Sequence, residues 1–200
     1  MKQTLLLLIC LVYLDIQAQD TLYQKGITTD SITIEATRLR DFTNSTPRSV
    51  NKISASQFQQ GQQELSLTES LVGIPGLLST NGENFAQDMR LSIRGFGARA
   101  PFGIRGIKLV VDGFIFSTPD GQGQVDNIDP GILSGAEILR GPSSGLYGNA
   151  SGGVVSFSTD FPKEGLGAKV GLSTGAFGLQ RYQARLSRGT EKTQQMIYGS

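Results

Sequence analysis

Histidine and tryptophan are absent from this chain of 200 residues, and cysteine occurs once. Without histidine the chain lacks the commonest acid–base catalyst and a common metal ligand, which argues against most enzyme chemistry. The single cysteine, Cys10, lies in a segment that we expect to be cleaved, so the mature chain would have no disulfide and no thiolate metal site. The net charge is +1, and this balance gives no electrostatic argument for binding nucleic acid.

Residues 1–18 have the pattern of a secretory signal peptide. Lys2 supplies a positive charge, Leu5–Leu14 is an apolar run, and Ala18 is a small residue at the expected cleavage site. The apolar run is too short for a membrane-spanning helix, which needs about 20 residues. We therefore expect export and cleavage after Ala18, with cleavage after Gln19 as the alternative.

A polar segment follows over residues 19–41, and it contains an alternating run at Ser31–Ala36. Alternation of β-branched and polar residues with period two predicts an extended strand. Because this strand precedes every core pattern in the chain, we expect it to be a free segment that pairs with another protein.

Short strands and short helices alternate over residues 42–160, which predicts a small mixed α/β domain. Capping boxes at Ser54–Gln57 and Ser66–Glu69 predict two short helices. Asp129-Pro130 predicts one further helical turn. We expect strands at Arg48–Ile53, Met89–Ile93, Lys108–Asp112, Ala136–Arg140 and Val154–Phe157.

Three sequence blocks in this region point to one family. Glu137–Phe157 reads E-I-L-R-G-P-S-S-G-L-Y-G-N-A-S-G-G-V-V-S-F, a strand, a glycine-rich loop without a helix-forming run, and a second strand. S-I-R-G-F at Ser92–Phe96 and V-V-D-G at Val110–Gly113 precede it. In this order the blocks resemble the plug domain of TonB-dependent outer-membrane receptors. The resemblance implies a plug inside a barrel of roughly 22 strands, and import without covalent chemistry.

A different alternation begins after the α/β region. Apolar and polar residues alternate along Ala168–Thr174 and Arg181–Ser187, and turns are expected at Gly175–Gly178 and Gly189–Lys192. Such strands with short turns are typical of a transmembrane β-barrel, although a soluble hairpin with one solvated face shares the pattern. After the plug-like blocks, residues 165–200 are interpreted as the first strands of an antiparallel transmembrane barrel. Because so few strands cannot close a barrel, we expect this chain to be the N-terminal piece of a longer receptor and not to transport by itself.

The resemblance assigns a partner to the N-terminal strand. Asp30, Ser31, Ile32, Thr33 and Ile34 resemble the TonB box, which would add a strand to a sheet edge of TonB, the energising protein of the inner membrane. The stretch Asp20–Tyr23 is a competing candidate for the box. Because the box lies close to the expected cleavage site, we expect neither an N-terminal signalling domain nor the extra domain of the large glycan importers.

The resemblance also assigns roles to two arginines. In the family, arginines at the positions of Arg94 and Arg140 pair with glutamates on the inner barrel wall and lock the plug. Charge-assisted pairs in a narrow lumen fix orientation strongly. The glutamates would lie beyond Ser200, and the alternative is that both arginines are ordinary surface residues.

Two loops, residues 99–106 and 119–124, are candidates for ligand contact. They resemble the branch of the family that takes up pyrroloquinoline quinone, and iron–siderophore uptake is the rival. The ligand-facing residues would be Arg99, Phe102, Arg105, Phe116 and Asp120. We expect a small-molecule ligand, no resident metal and no cofactor. A secreted soluble binding module and a non-functional receptor fragment are the alternatives for the whole chain.

Three motifs that suggest other chemistry lack a required part. Gly141–Gly145 matches G-x-S-x-G, but a Ser–His–acid triad needs a histidine. Gly95–Ala100 matches G-x-G-x-x-A, but Pro101 and nearby glycines leave no helix to bind phosphates. Asp120–Asp129 has spaced oxygen ligands but lacks the glycine and closing glutamate of a calcium loop. We therefore expect no enzyme activity.

Overall fold

The computed structural model describes residues 33–34, 41–42, 48–80, 87–162 and 164–200. The strands are β1 (Thr33–Ile34), β2 (Asp41–Phe42), β3 (Ser49–Ser54), β4 (Leu77–Thr80), β5 (Arg90–Ile93), β6 (Ile104–Arg105), β7 (Ile107–Val111), β8 (Phe114–Ile115), β9 (Gln122–Gly123), β10 (Leu133–Arg140), β11 (Gly153–Thr159), β12 (Gly165–Thr174), β13 (Gln180–Gly189) and β14 (Gln194–Gly199). The α-helices are α1 (Ala55–Gln59), α2 (Leu67–Leu71) and α3 (Ser144–Tyr147), and Pro130–Ile132 and Ala176–Gly178 are 3₁₀ turns.

A five-stranded mixed sheet is the centre of the α/β region, which we define as residues 48–162. Its strand order is β3-β10-β11-β7-β8, and only the β11–β7 pair is parallel. Strands β10 and β11 pair apolar residues in the middle of their ladder, at Ile138↔Val155 and Leu139↔Val154. Strands buried on both faces read as continuous apolar runs, which explains why the sequence pattern here is not alternating.

Both faces of this sheet are covered. The larger core includes Phe58 of α1, Leu71 of α2 and Phe157 of β11, all with no exposed surface. The smaller core, on the other face, packs Tyr147 of α3 against Val154. Burying these side chains removes apolar surface from water, which is the main favourable contribution to folding.

The predicted helix starts are confirmed. At Ser54 and at Ser66 the capping box is complete, with Gln57 and Glu69 bonded back to the cap backbone. Asp129 caps the 3₁₀ turn by accepting a bond from the Gly131 N–H at 2.7 Å. These caps satisfy backbone donors that have no partner within the helix.

Several short elements are absent from the sequence-based expectation, and two of them have four residues. The glycine-rich segment is expected to contain no helix, but Ser144–Tyr147 forms one helical turn that ends at Gly148, whose φ is +73°. Leu77–Thr80 is not among the predicted strands, yet it pairs with β5. Both elements are only four residues long, so neither shows a period that a sequence pattern would reveal.

Strands β12, β13 and β14 form a separate antiparallel sheet, which we call the C-terminal sheet. Its predicted alternation is confirmed, because Val170, Tyr182 and Leu186 point outward and are more than half exposed. Polar side chains of the same strands point the other way and contact the α/β region. The sheet is therefore apolar on its outer side and polar on the side that faces the protein.

The N-terminal strand is expected to be free, and its described part is paired within the chain. Thr33–Ile34 forms a two-residue antiparallel ladder with Asp41–Phe42. Asp30, Ser31 and Ile32, the proposed signal peptide and the competing box at Asp20–Tyr23 lie outside the described residues. Within the described part of the chain, no helix is both long and apolar enough to cross a membrane.

Candidate functional site

The loop that follows β8 forms an open cleft of about 530 Å³. Its lining is a mixture of hydroxyl, amide and apolar groups, with one carboxylate. The lining residues are Ile115, Phe116, Ser117, Thr118, Asp120, Gln122, Gly123, Gln124 and Asn127. Such a surface suits an organic ligand that offers both hydrogen-bonding groups and an apolar face.

Asp120 is the only ionisable group among the described residues that line this cleft, and it is held in its charged form. The hydroxyl of Thr118 donates a hydrogen bond to Asp120, and the Gln122 N–H donates a second. These bonds, with the nearby Arg105 charge, lower the pKa of Asp120 below its ordinary value of 3.8. Arg105 Nη2 lies 3.0 Å from Asp120 Oδ2 and also donates to Gln122 Oε1 at 3.0 Å.

The other loop residues expected to face a ligand are only partly brought together. Phe102 is 64% exposed, and Arg99 is exposed; neither lines the cleft. Phe116 does line it, but this ring also packs against the main core. Exposed apolar surface in the cleft comes instead from Ile115, which is 52% exposed. The hairpin that carries it turns at Asp112-Gly113, and both residues have positive φ.

Arg94 and Arg140 converge on the same turn, which precedes β4. The Arg94 N–H donates to the Gly76 carbonyl at 2.7 Å. The Arg140 guanidinium donates from Nη1 to the Pro75 carbonyl at 2.6 Å. Arg94 is exposed and Arg140 is half-buried. None of the described strands of the C-terminal sheet carries a glutamate or an aspartate.

Ser143 and Asp129, which belong to two of the motifs that suggest other chemistry, bond to other groups of the protein. The Ser143 hydroxyl is buried, donates to the Gly141 carbonyl at 3.2 Å and accepts from Arg48. Asp129, at the end of the calcium-like loop, accepts bonds from other protein groups. Among the described residues, no cluster of three or more acidic, histidine or cysteine side chains could hold a metal.

A set of polar contacts between the C-terminal sheet and the α/β region is not expected from the sequence. Arg185 pairs with Asp160, and Lys169 Nζ lies 2.8 Å from Gln59 Oε1. Arg181 Nη2 donates to both carboxylate oxygens of Asp129, at 2.8 and 2.9 Å. All three cations occupy inward positions of their strands. The alternation that places these cations inward is visible in the sequence. The sequence does not show which groups of the α/β region accept their hydrogen bonds.

The comparisons with known proteins agree on one family. Residues 43–154, more than half of the chain, match the family model described as TonB-dependent Receptor Plug Domain. A hemin receptor of Yersinia enterocolitica is 31% identical over 155 residues, which are 75% of this chain and 21% of that protein. The vitamin B12 transporter BtuB of Vibrio vulnificus is 25% identical over 154 residues, 76% of this chain and 24% of that protein.

A solved structure shows the same fold. The ferric yersiniabactin uptake receptor FyuA of Yersinia pestis superposes with a TM-score of 0.59 at 22% identity, over 72% of this chain and 22% of that one. This chain therefore spans between a fifth and a quarter of the length of these relatives. They are named as receptors and a transporter, which agrees with the expectation of a non-enzyme. The mixed sheet, the three motif blocks and the family match together establish that the chain belongs to the TonB-dependent receptors and carries their plug domain.

Proposed function

We propose that this chain is the plug and the first wall strands of an outer-membrane receptor that imports a small molecule with energy supplied through TonB. The observation that carries this proposal is the C-terminal sheet. Its apolar side faces outward and its polar side packs on the plug, which is the arrangement that a barrel wall in a membrane requires. The protein would reside in the outer membrane of a Gram-negative bacterium, with its N-terminus in the periplasm.

The proposed organisation follows the order of the chain. Residues 1–18 are the signal peptide, residues 19–41 the periplasmic segment with the TonB box, residues 42–160 the plug, and residues 165–200 the first strands of the wall. The plug blocks the pore of the complete receptor. The cleft beside Asp120 contributes to the ligand site.

Import would begin at the box, Asp30–Ile34. Ligand binding releases this segment, which pairs with TonB through main-chain hydrogen bonds and transmits a pull to the plug. Thr33 and Ile34 now pair with β2 through only two residues. A ladder this short is easily exchanged for a longer one with a partner. Arg94 and Arg140 would pair with wall glutamates outside this sequence and hold the plug until the pull arrives.

The ligand is proposed to be an iron chelate or a similar scarce cofactor. The relatives are named for hemin, vitamin B12 and ferric yersiniabactin, which are metal complexes of organic ligands. The cleft offers hydroxyl and amide groups beside the exposed side chain of Ile115. Pyrroloquinoline quinone, a planar organic cofactor, is the other candidate.

The box assignment is tested by Ile32→Pro in the full-length receptor, with Ile32→Val as the matched control. Proline removes a backbone N–H that a ladder with TonB needs, whereas valine keeps it. We expect Ile32→Pro to abolish uptake of the ligand and to leave its binding to whole cells unchanged, while Ile32→Val behaves as wild type. Uptake is measured with a panel of labelled iron chelates and pyrroloquinoline quinone. Unimpaired uptake by Ile32→Pro would refute the box.

A further inference from the structure

One arginine of the C-terminal sheet contacts two separate elements of the plug. Arg181 occupies an inward position of β13, and only 10% of its side chain is exposed. Its Nη2 binds both carboxylate oxygens of Asp129, and its Nη1 donates to the backbone carbonyl of Glu64. A guanidinium suits this role because its rigid fork of donors can serve two acceptors at once.

The Asp129 contact is reinforced from several sides. Besides Arg181, its carboxylate accepts from the Tyr198 hydroxyl at 3.1 Å and from the Ser200 hydroxyl at 2.8 Å. It also caps the 3₁₀ turn through the Gly131 N–H. Gly131 has no side chain, and a Cβ there would collide with the Tyr198 hydroxyl. The turn therefore presents a carboxylate and bare backbone to the sheet, which allows this close approach.

The Glu64 contact depends on a loop that one carboxylate organises. Glu69 accepts hydrogen bonds from four successive backbone N–H groups, those of residues 63, 64, 65 and 66, at 2.7 to 3.2 Å. This fixes Glu64 at a φ of +58°, which is uncommon for a residue other than glycine. In this conformation the Glu64 carbonyl meets Arg181, and its side chain accepts from Gln183 at 2.5 Å.

We propose that Arg181 is a two-point anchor that holds the plug on the wall and keeps the pore sealed. The Arg181 anchor, defined as Arg181 with Asp129 and Glu64, rests on the proposed placement of the C-terminal sheet in the wall. In the expected lock the plug supplies the cations, Arg94 and Arg140, and the wall supplies the anions. In the Arg181 anchor the charges are reversed, because the wall supplies the cation. Neighbouring contacts have the same polarity, since Lys169 and Arg185 also donate from the sheet to the plug.

The anchor predicts a division of the plug under load. The Asp129 turn and the Glu64 loop stay on the wall, because the largely buried Arg181 bonds both of them and these charge-assisted bonds would have to break together. The turn at Pro75 bonds to Arg94 and Arg140, the residues of the proposed lock, so this region is the part that the pull would release and rearrange. Loss of the anchor should therefore open the pore without any pull from TonB.

The test measures leakage through the full-length receptor in the outer membrane. The variants are Arg181→Gln, Arg181→Lys and Asp129→Asn, and the matched control is Arg188→Gln, which removes an exposed, outward-facing arginine of the same strand. Leakage is read as susceptibility to vancomycin, which an intact outer membrane excludes, and as conductance of purified receptor in planar bilayers. Surface abundance, measured by immunoblot of whole cells, normalises every variant.

We expect Arg181→Gln and Asp129→Asn each to increase leakage, by roughly two- to a hundredfold, the range of coupling between residues in contact. Arg181→Lys should leak less than Arg181→Gln because it retains the charge. The double variant Arg181→Gln/Asp129→Asn should leak no more than the leakier of the two single variants, because both substitutions remove the same Arg181–Asp129 ion pair. The increase should persist in the Ile32→Pro background, which separates this proposal from the proposed function.

Three results would overturn the anchor. The first is wild-type leakage in both neutral variants at normal abundance. The second is an equal increase in Arg188→Gln, which would indicate a general effect of removing charge from the strand. The third is additive leakage in the double variant, which would show that Arg181 and Asp129 act independently. If Arg181→Gln does not reach the membrane, the milder Asp129→Asn and Arg181→Lys variants decide between these outcomes.

Discussion

At the scale of single residues, two half-buried carboxylates determine how the plug meets its surroundings. Asp129 caps a 3₁₀ turn and also binds Arg181 of the C-terminal sheet. Glu69 completes a capping box and also accepts hydrogen bonds from backbone N–H groups of the preceding loop. Each side chain thus satisfies local donors and positions a surface that contacts another element. Because each carboxylate has both roles, a change in one of these local caps would also affect the contact with another element.

The effect of Glu69 can be measured. Glu69→Ala should lower the free energy of unfolding by about 2–3 kcal/mol, because it leaves several backbone donors of the Gln63–Ser66 loop without a charged acceptor. Glu191→Ala, in an exposed turn of the C-terminal sheet, is the matched control and should have little effect. The measurement is thermal unfolding of the purified receptor in detergent, together with limited proteolysis of the loop. Equal protease resistance of Glu69→Ala and wild type would contradict this role.

The sequence predicts half of this residue-scale arrangement. The pairs Ser54–Gln57 and Ser66–Glu69 follow a spacing that local geometry alone dictates, so both capping boxes could be predicted. The further donors to Glu69 could not, because they require Glu64 to adopt a positive φ. That conformation is stabilised by contact with Gln183, which is distant in sequence. Arg181 could be placed on an inward face by its alternation, but its partner depends on how the sheet packs.

At the scale of elements, the central strands β10 and β11 define the fold. Their pairing is closed at one end by Gly153, opposite Arg140, with a φ of +142°. A side chain there would collide with the Leu139 carbonyl oxygen. The glycine is therefore required both by backbone conformation and by the closeness of the neighbouring strand.

Replacing this glycine should disturb the sheet. Gly153→Ala is expected to destabilise the plug by about 1–3 kcal/mol, through backbone strain and the clash with β10. Gly145→Ala is the matched control, because it lies in α3, where an added Cβ would meet no atom within 4 Å beyond its immediate chain neighbours. The measurement is the unfolding midpoint of the receptor together with its abundance in the outer membrane. A midpoint for Gly153→Ala equal to that of Gly145→Ala would show that the strand tolerates the change.

Element prediction succeeds where a pattern is long and fails where it is short. Strands β12 and β13 each have 10 residues, and the alternation of apolar and polar residues over Ala168–Thr174 and Arg181–Ser187 makes them recognisable in the sequence. Strand β10 is predicted from Ala136, but it begins at Leu133 because β11 provides partners further along. The helix α3 has no apolar period, and it forms because Tyr147 packs into the smaller core.

At the scale of the whole molecule, positive and negative charges lie on two facing surfaces, one on the C-terminal sheet and one on the α/β region. The net charge is +1, yet the inward face of the C-terminal sheet carries cations and the facing plug surface carries Asp129 and Asp160. Complementary surfaces of this kind fix orientation more than they add stability. The composition of the chain could not reveal this, because the two surfaces cancel.

The central claim is that this plug belongs to a complete receptor in the outer membrane, and the most direct test is the size and location of the native polypeptide. Outer-membrane and soluble fractions of the source cells are blotted with an antibody raised against residues 137–157. The account predicts an outer-membrane band several times larger than the 21.4 kDa of this chain. A soluble band near 21.4 kDa, with no larger species in the membrane, would contradict it.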